Sequence, residues 1–378
     1  MLLKVVLILF NFHLTSATDP EYHVLVLGEY ANEGTVVLFN GTELYPLCYD
    51  GWDDENAAVV CRMIGYTSDG AIAVQSNATF GMTSYQYDCN GNEQLLQNCP
   101  VNVTECSMHG GVVCSKDPIP TDFFLLAMGS SIVRVDRFHE GLTVIKFDTS
   151  RYFFDIGYDF IEQEILWTDA LLKQIAKCDF NGGEITIIYQ SGNASAMHGI
   201  AVDSDSRLIF YTDAGYHEIG VVHADTLTRT VLINSSLDKP GKIIIDYNTR
   251  KIYWADWGEN AMIERSNYDG SDREVLVSAG LINPNGLVLD GDLLYWCDAD
   301  YGVIERIFRN GTGRTVIYTT GFAHCFDFVL VDDYFYCNDL NLTNIIKLAK
   351  DGSGYSAYGP PLPTRYGIVY YRKGNLTK

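Results

Sequence analysis

Ile165-Leu166-Trp167-Thr168-Asp169, Ile209-Phe210-Tyr211-Thr212-Asp213, Ile252-Tyr253-Trp254-Ala255-Asp256, Leu294-Tyr295-Trp296-Cys297-Asp298 and Phe335-Tyr336-Cys337-Asn338-Asp339 form one series. Their aspartates stand 44, 43, 42 and 41 residues apart. A second series keeps the same step, with apolar runs ending at Asp159, Asp203, Asp246, Asp290 and Asp332, spaced 44, 43, 44 and 42. Turn signals supply a third: Asn181-Gly182, Asp269-Gly270, Asn310-Gly311 and Asp351-Gly352, while the copy around Ala224-Asp225 lacks its glycine. Asn-Gly and Asp-Gly between alternating apolar runs mark hairpins, because such turns need positive φ at their centre. Each repeat therefore holds four short strands, expected around Tyr253-Trp254 at 242–246, 252–256, 262–267 and 273–277.

Four strands in about 42 residues is the period of a β-propeller blade. Isolated hairpins would leave edges and unburied faces, so stacking into a ring is the stable arrangement. The ends of the array fix the number of blades. Before the first full repeat lie three strands, 123–129, 131–137 and 142–147, and after the last lies one, 366–371. Together they complete a sixth blade and close the ring by joining the two ends of the array. The expected fold is mostly β, a small disulfide-rich domain plus a six-bladed propeller closed by the C-terminal strand.

The aromatic-Asp motif and its period resemble the class B (YWTD) repeats of the low-density lipoprotein receptor over residues 122–372, a family that folds as a six-bladed propeller. The copies drift: Cys337 stands for Trp, and Ala255, Cys297 and Asn338 stand for Thr. Alternating motif aromatics fall on opposite strand faces and pack between blades, and the Asp is expected to bond neighbouring backbone donors. In a four-stranded meander the loops leading into strand one and leaving strand two share a face. The lead-in loops are 195–198, 239–241, 282–285 and 323–325; the exit loops include 214–217, 257–260 and 299–301. Exposed aromatic and charged residues mixed on one rigid face make a protein-binding surface, which points to Trp257, Glu259, Tyr216, His217, Asp300 and Tyr301. The resemblance adds weight to Trp257, which matches an aromatic that often follows the motif in ligand-binding members.

The N-terminus reads as a secretory signal peptide, 1–17: Val5 to Phe12 are apolar, and small residues end at Ala17. Asn-x-Ser/Thr acceptors at Asn40, Asn77, Asn102, Asn193, Asn234, Asn310, Asn341 and Asn375 agree with a secreted glycoprotein. Asn193 lies at a lead-in loop and Asn341 in an exit loop, so glycans there would cover the edge of the loop face. Asn310 lies on the opposite face. No later segment approaches a membrane span, so the chain as written is expected to be extracellular and soluble.

Six of the ten cysteines fall between Cys48 and Cys114, without a Cys-x-x-Cys pair and with His109 the only nearby histidine. Zinc ligation is therefore disfavoured against disulfides. The run Cys48-Tyr49-Asp50-Gly51-Trp52 through Cys61-Arg62-Met63-Ile64-Gly65-Tyr66, then Asp88-Cys89, Cys99-Pro100 and Gly111-Val112-Val113-Cys114, resembles a scavenger receptor cysteine-rich domain. The resemblance covers residues 22–115, with 116–121 a linker. Tyr66 stands where eight-cysteine members carry another cysteine, so the chain resembles the six-cysteine group. That implies the pairs Cys48–Cys106, Cys61–Cys114 and Cys89–Cys99. It also implies a calcium site near Asp50, Asp53 and Asp54, although Tyr49 replaces one usual Asp. The segment before Cys114 has no carboxylate, so the oxygen cage is incomplete. Outside the module, Cys325 and Cys337 on adjacent strands are a candidate bridge, with buried thiols the alternative. The pairing of Cys178 and Cys297 stays open.

Charge narrows the partners. The chain carries 26 Lys plus Arg against 48 Asp plus Glu, a net −22, which argues against nucleic acid and favours basic partners. Between residues 21 and 115 one basic residue, Arg62, faces twelve acidic ones, so polyanion scavenging by that module is disfavoured. Two readings compete. The first is an extracellular binding protein, receptor-like or ligand-sequestering, that needs no cofactor. The second is a propeller enzyme with a metal in the central channel, near His198 and His324. The absence of Gly-x-Ser-x-Gly and His-Glu-x-x-His favours the first.

Overall fold

The computed structural model describes residues 23–28, 32–39, 44–64, 66–76, 83–106, 108–115, 122–137, 142–319, 325–340, 342, 344–359, 362 and 366–372. The signal segment, the linker, His324 and the acceptors Asn40, Asn77, Asn341 and Asn375 lie outside the described residues. The chain divides into two compact units. One is Met1–Pro120 with Val133–Asp148 and Phe180–Gly183; the other is Thr121–Ile132 with Thr149–Asp179 and Glu184–Lys378.

In the N-terminal module, His23–Leu27, Glu33–Phe39, His109–Val113 and Ile72–Ser76 form a sheet in that spatial order, and Leu44–Pro46 also pairs with Glu33–Phe39. A helix spans Asp54–Met63 because Asp53 caps it: its carboxylate accepts the backbone N–H groups of Glu55 and Asn56, both at 3.1 Å. The buried face of that helix carries Ala57, Val59, Val60, Cys61 and Met63. Cysteines pair as the family resemblance implied, Cys48 with Cys106, Cys61 with Cys114 and Cys89 with Cys99.

The repeats form five four-stranded sheets in chain order, each an antiparallel meander, followed by a composite sixth. In the third blade the strands are Pro240–Asp246, Lys251–Asp256, Met262–Asn267 and Glu274–Val277, within two residues of the sequence expectation. Inner strands of the five complete blades are Phe153–Asp159, Met197–Asp203, Pro240–Asp246, Pro284–Asp290 and Cys325–Val331. Each pairs irregularly with its neighbour near its start, as between Pro240 and Ile243. A bulge of this kind re-aims side chains, here those at the third residue of each inner strand.

Motif aromatics fill the seams between blades. Trp254 packs with Phe210, Ile219, Ile233, Ile243 and Tyr268, drawn from two successive blades. Arg273 opens the outer strand, lies over Trp254 at 5.5 Å, and grips Glu264 through two hydrogen bonds of 2.8 and 2.7 Å. Arg314 repeats this over Trp296 at 5.3 Å with Glu305. Blades three and four thus write the seam with the same residue types, the Glu and Arg nine residues apart in both.

The ring closes as the ends of the array required. Ile368–Arg372 pairs antiparallel with Asp122–Met128, Ile368 opposite Leu126 and Tyr370 opposite Phe124. The sheet order is Leu142–Phe147, Ser131–Asp136, Asp122–Met128, Ile368–Arg372, which places the last strand innermost. Arg372 donates to Asp122 at 3.0 Å and to Asp332 of the preceding blade at 2.9 Å, tying the closing strand on both sides.

Candidate functional site

The motif aspartates build the loop face. Asp213, fully buried, accepts backbone N–H groups from Ala196 at 2.8 Å, Gly215 at 3.0 Å and Tyr216 at 3.1 Å, and the Ser195 hydroxyl at 2.6 Å. One carboxylate therefore pins a lead-in loop to an exit loop. Asp298 does the same for Ile282, Asn283 and Tyr301, while Asp256 holds the lead-in residues Asp238 and Lys239. Position four of the motif links each blade to the next. Thr168 donates to the His198 carbonyl at 2.5 Å and Thr212 to the Gly241 carbonyl at 2.6 Å. The drifted copies keep that bond: Cys297 donates to the Cys325 carbonyl at 3.0 Å and Asn338 to the Tyr366 carbonyl at 3.2 Å. Ala255 has no side-chain donor, so only that copy loses it.

A cavity of about 250 Å³ opens at the head of the channel, lined by Phe154, Asp155, His198, Gly199, Gly241, Lys242, Trp257, Asn283, Asn285, Ala299, Phe326, Asp327 and Leu340. Its floor is an ion triad from alternate blades. Lys242 Nζ lies 2.9 and 3.2 Å from the two Asp155 oxygens and 2.7 Å from Asp327 Oδ2. The third positions of the inner strands read Asp155, Gly199, Lys242, Gly286 and Asp327, with Gly367 just ahead of the closing strand. A Cβ at Gly367 would strike the Asp155 carboxylate, so the alternation with glycine makes room for the long-range pairs. Each acid also binds the next blade: Asp155 accepts Ile200 N–H at 3.0 Å and Asp327 accepts Ile368 N–H at 2.9 Å.

Burial pushes the Asp327 carboxyl up to about 6, opposed by Lys242 and reinforced by the Asp155 charge. Burial by itself would depress the Lys242 ammonium, but Asp155 and Asp327 hold it above its ordinary range. His198 is lowered to about 4 by burial, against the nearby Asp213 and Asp155, and so stays neutral at physiological pH. Aromatic rings collar the cavity: Phe154 packs on His198 at 4.6 Å, and His198 stacks on Trp257 at 5.8 Å. Phe154 also stacks on Tyr366 at 5.3 Å, and Phe326 meets it edge-on at 5.4 Å.

Of the six residues singled out by sequence, Trp257 alone lines this cavity, seated on Gly241, where a Cβ would approach its ring to 3.0 Å. Lys239 Nζ lies over the same ring at 4.7 Å. Glu259, Tyr216, His217, Asp300 and Tyr301 are exposed in the exit loops around it. Sequence reasoning missed Lys242, Asp155, Asp327, Phe154, Phe326 and Asn285. His198 enters the wall as expected near the channel. The two carboxylates a channel metal would use are committed to the chain's own ammonium, so this donor set does not fit a resident metal.

Asp50, Asp53 and Asp54 do not converge: among the described residues the one cluster with ligand-like spacing is Cys89, Glu93 and Cys99, whose cysteines are bonded to each other. Asp53 is occupied as helix cap and Asp54 accepts the Ala73 N–H at 2.7 Å. Asp53 and Asp54 thus already serve backbone N–H groups, and the three aspartates expected to hold calcium form no converging set among the described residues. Arg62, the module's single base, donates to the Gly91 and Glu93 carbonyls. Cys325 pairs with Cys337, while Cys178 and Cys297 are buried outside the four bridges. Asn102, Asn193, Asn234 and Asn310 are all exposed.

Six four-stranded sheets closed by the last strand, preceded in the sequence by a disulfide-bonded module, define a two-domain protein of the β-propeller class. Residues 26–115 match the scavenger receptor cysteine-rich domain, and residues 250–290 match the low-density lipoprotein receptor repeat class B. The chain thus carries the first of these domains followed by repeats of the second kind.

Over 283 residues it is 33% identical to low-density lipoprotein receptor-related protein 5 of Homo sapiens, covering 68% of this chain and 17% of that protein. A chain in the crystal structure of a nidogen/laminin complex aligns with a TM-score of 0.61 at 26% identity, covering 66% of this chain and 98% of that one. A gluconolactonase from Xanthomonas campestris, 16% identical, aligns with a TM-score of 0.50 over 64% of this chain and 83% of its own, a likeness of fold alone. No helix among the described residues is long and apolar enough to cross a membrane.

Proposed function

We propose that the protein is an extracellular binding protein that recognises a protein ligand through the loop face of its propeller, with the N-terminal module as a second display surface. The observation that carries this reading is the loop face itself: aspartate-pinned loops around an aromatic-collared cavity with Trp257 at its rim. Rigid loops lower the ordering cost of association, and half-buried aromatics supply most of the energy in such interfaces. The receptor-related name of the human relative and the protein complex containing the nidogen/laminin neighbour lean the same way. The ligand is biased toward basic surfaces by the net charge of −22, with no role for nucleic acid. Secretion, glycosylation and freedom from any required cofactor belong to the same proposal.

The test is a pulldown of extracellular proteins with the purified glycoprotein, beside elemental analysis. Recovery of a partner that Trp257→Ala loses, with binding weakened by salt, is the expected result. Stoichiometric metal with no partner recovered would reverse the reading in favour of a channel enzyme.

A further inference from the structure

The propeller face opposite the loops carries a recess between blades four and five. It holds about 470 Å³ and is lined by Arg306 from blade four and by Asp333, Tyr334, Lys350, Asp351 and Ser353 from blade five. That size falls within the roughly 300–1,000 Å³ of small-molecule clefts. Asp333 lies in the turn between the first two strands of blade five, Cys325–Val331 and Tyr334–Asp339. Lys350, Asp351 and Ser353 lie in the turn between its last two, Ile345–Ala349 and Tyr355–Tyr358. Both turns are at the strand ends remote from the lead-in and exit loops.

Arg306 is left over because its cross-strand neighbour differs from that of its counterpart one blade earlier. In blade three, Arg265 stands opposite Glu274 of the outer strand and donates to its carboxylate at 2.9 and 2.7 Å. At the same place in blade four, Arg306 on Val303–Phe308 stands opposite Thr315, whose hydroxyl bonds the Gly313 carbonyl at 3.1 Å. Arg306 is half-buried and, alone among the described arginines, has no hydrogen-bond or ion-pair partner. It therefore enters the recess with its five donors unspent. The other lining residues are tied down. Lys350 is ion-paired with Asp290, and the Asp351 carboxylate accepts the Ser353 N–H at 2.9 Å. Tyr334 is 39% exposed, with Lys347 Nζ over its ring at 4.0 Å.

We infer that this recess is a binding site for a neutral saccharide, separate from the loop face. A sugar hydroxyl accepts from Arg306 while it donates to Asp333 or Asp351, since a hydroxyl has one donor and two lone pairs and a carboxylate has only acceptors. The apolar face of the sugar ring packs on the exposed Tyr334. Charge disfavours the alternatives. An anion held by Arg306 meets Asp333 and Asp351, and a cation held by those acids meets Arg306 and Lys350. The sugar belongs either to another molecule or to this chain. Asn310, an exposed acceptor four residues beyond Arg306, lies in the hairpin turn on the same face of blade four.

Saturation-transfer NMR with the methyl glycosides of mannose, galactose, glucose and N-acetylglucosamine tests the site, on the wild-type protein and on Asn310→Gln. At least one glycoside is expected to bind. It loses about fivefold in affinity on Arg306→Ala, the weight of one hydrogen bond, and a similar amount on Tyr334→Ala. Arg306→Ala keeps the wild-type melting temperature, because the side chain serves no contact of the fold. Sialic acid and glucosamine, which carry opposite charges, bind more weakly than the neutral sugars. Binding by the wild type assigns the site to a sugar of another molecule, and binding only after Asn310→Gln assigns it to the chain's own glycan. Silence from both proteins, binding that survives both Arg306→Ala and Tyr334→Ala, or a charged sugar that binds as tightly as any neutral one would overturn the assignment. Such a failure leaves the loop-face reading untouched, because none of these residues belongs to that face.

Discussion

The N-terminal module and the propeller solve the same problem in different currencies of bonding. The module links its small core with three bridges between Cys48 and Cys114, and its hydrogen bonds are individual ones, such as Trp52 Nε1 to the Gly111 carbonyl at 2.8 Å. The described propeller residues contain one bridge, Cys325–Cys337, and rely on a few kinds of contact that recur from blade to blade, such as the position-four bonds of Thr168, Thr212, Cys297 and Asn338. A small core buries too little apolar surface to dispense with covalent links, whereas a ring of stacked sheets gains a seam with each repeat. Damage to the module should therefore be all-or-none, and damage to the ring graded by how many blades a contact joins.

The largest expected effect is in the module. Replacing both Cys61 and Cys114 by Ala removes a buried cross-link over 53 residues and should cost about 4 kcal/mol, enough to abolish its folding. Calorimetry would show its transition vanish while that of the propeller stays. Loss of both transitions together would mean the two are not independently held.

Next comes the hub. Lys242→Met leaves two buried carboxylates facing each other and should cost about 3 kcal/mol, measured by denaturant unfolding of the propeller. Adding Asp155→Asn and Asp327→Asn should recover most of the loss. A single substitution that costs nothing would show the triad to be incidental.

A smaller effect lies in pH. Unfolded His198 takes a proton near 6.5 but the folded one only near 4, so this residue's stabilisation is lost as pH falls through that window. Asp327 works the other way: its raised folded pKa of about 6 makes the folded state bind the proton first, adding stability as pH falls toward its unfolded value. The wild type should be nearly flat between pH 6.5 and 4. His198→Gln should gain, and Asp327→Asn lose, on the order of 2 kcal/mol across that range. Parallel curves for all three would refute the assignment.

The smallest effect is at motif position four. Cys297→Thr keeps a donor for the Cys325 carbonyl and should change stability by under about 0.5 kcal/mol, while Cys297→Ala should cost about 1 kcal/mol. Equal costs would show that the hydrogen bond contributes nothing at this seam.

Sequence disclosed whatever recurs locally. Strand positions, the closing strand and the aspartate's backbone bonds follow from a repeat of about 42 residues, and the three module bridges follow from a resemblance to a family. The hub was not legible in the same way. Its partners are 87 and 85 residues apart, and they become neighbours only when the ring closes. Reading the third residue of each inner strand in register would have exposed the alternation of charge and glycine, yet that register depends on bulges the period does not reveal. The carboxylates expected to hold calcium carry backbone bonds that the sequence does not announce: Asp53 caps the helix that follows it, and Asp54 accepts the N–H of Ala73 on a strand. Trp257 is an exit-loop aromatic and so stands out in the sequence, whereas nothing there marks Phe154 and Phe326, second residues of their inner strands, as lining the same cavity.

Ring closure by the last strand underlies every statement about hub and loop face, and hydrogen–deuterium exchange resolved by peptide tests it most directly. Amides of Ile368–Arg372 should be protected as long as those of Asp122–Met128, their pairing partners, and both should exchange only on global unfolding. Exchange of the C-terminal strand within seconds, while its partner strand stays protected, would contradict a closed six-bladed ring.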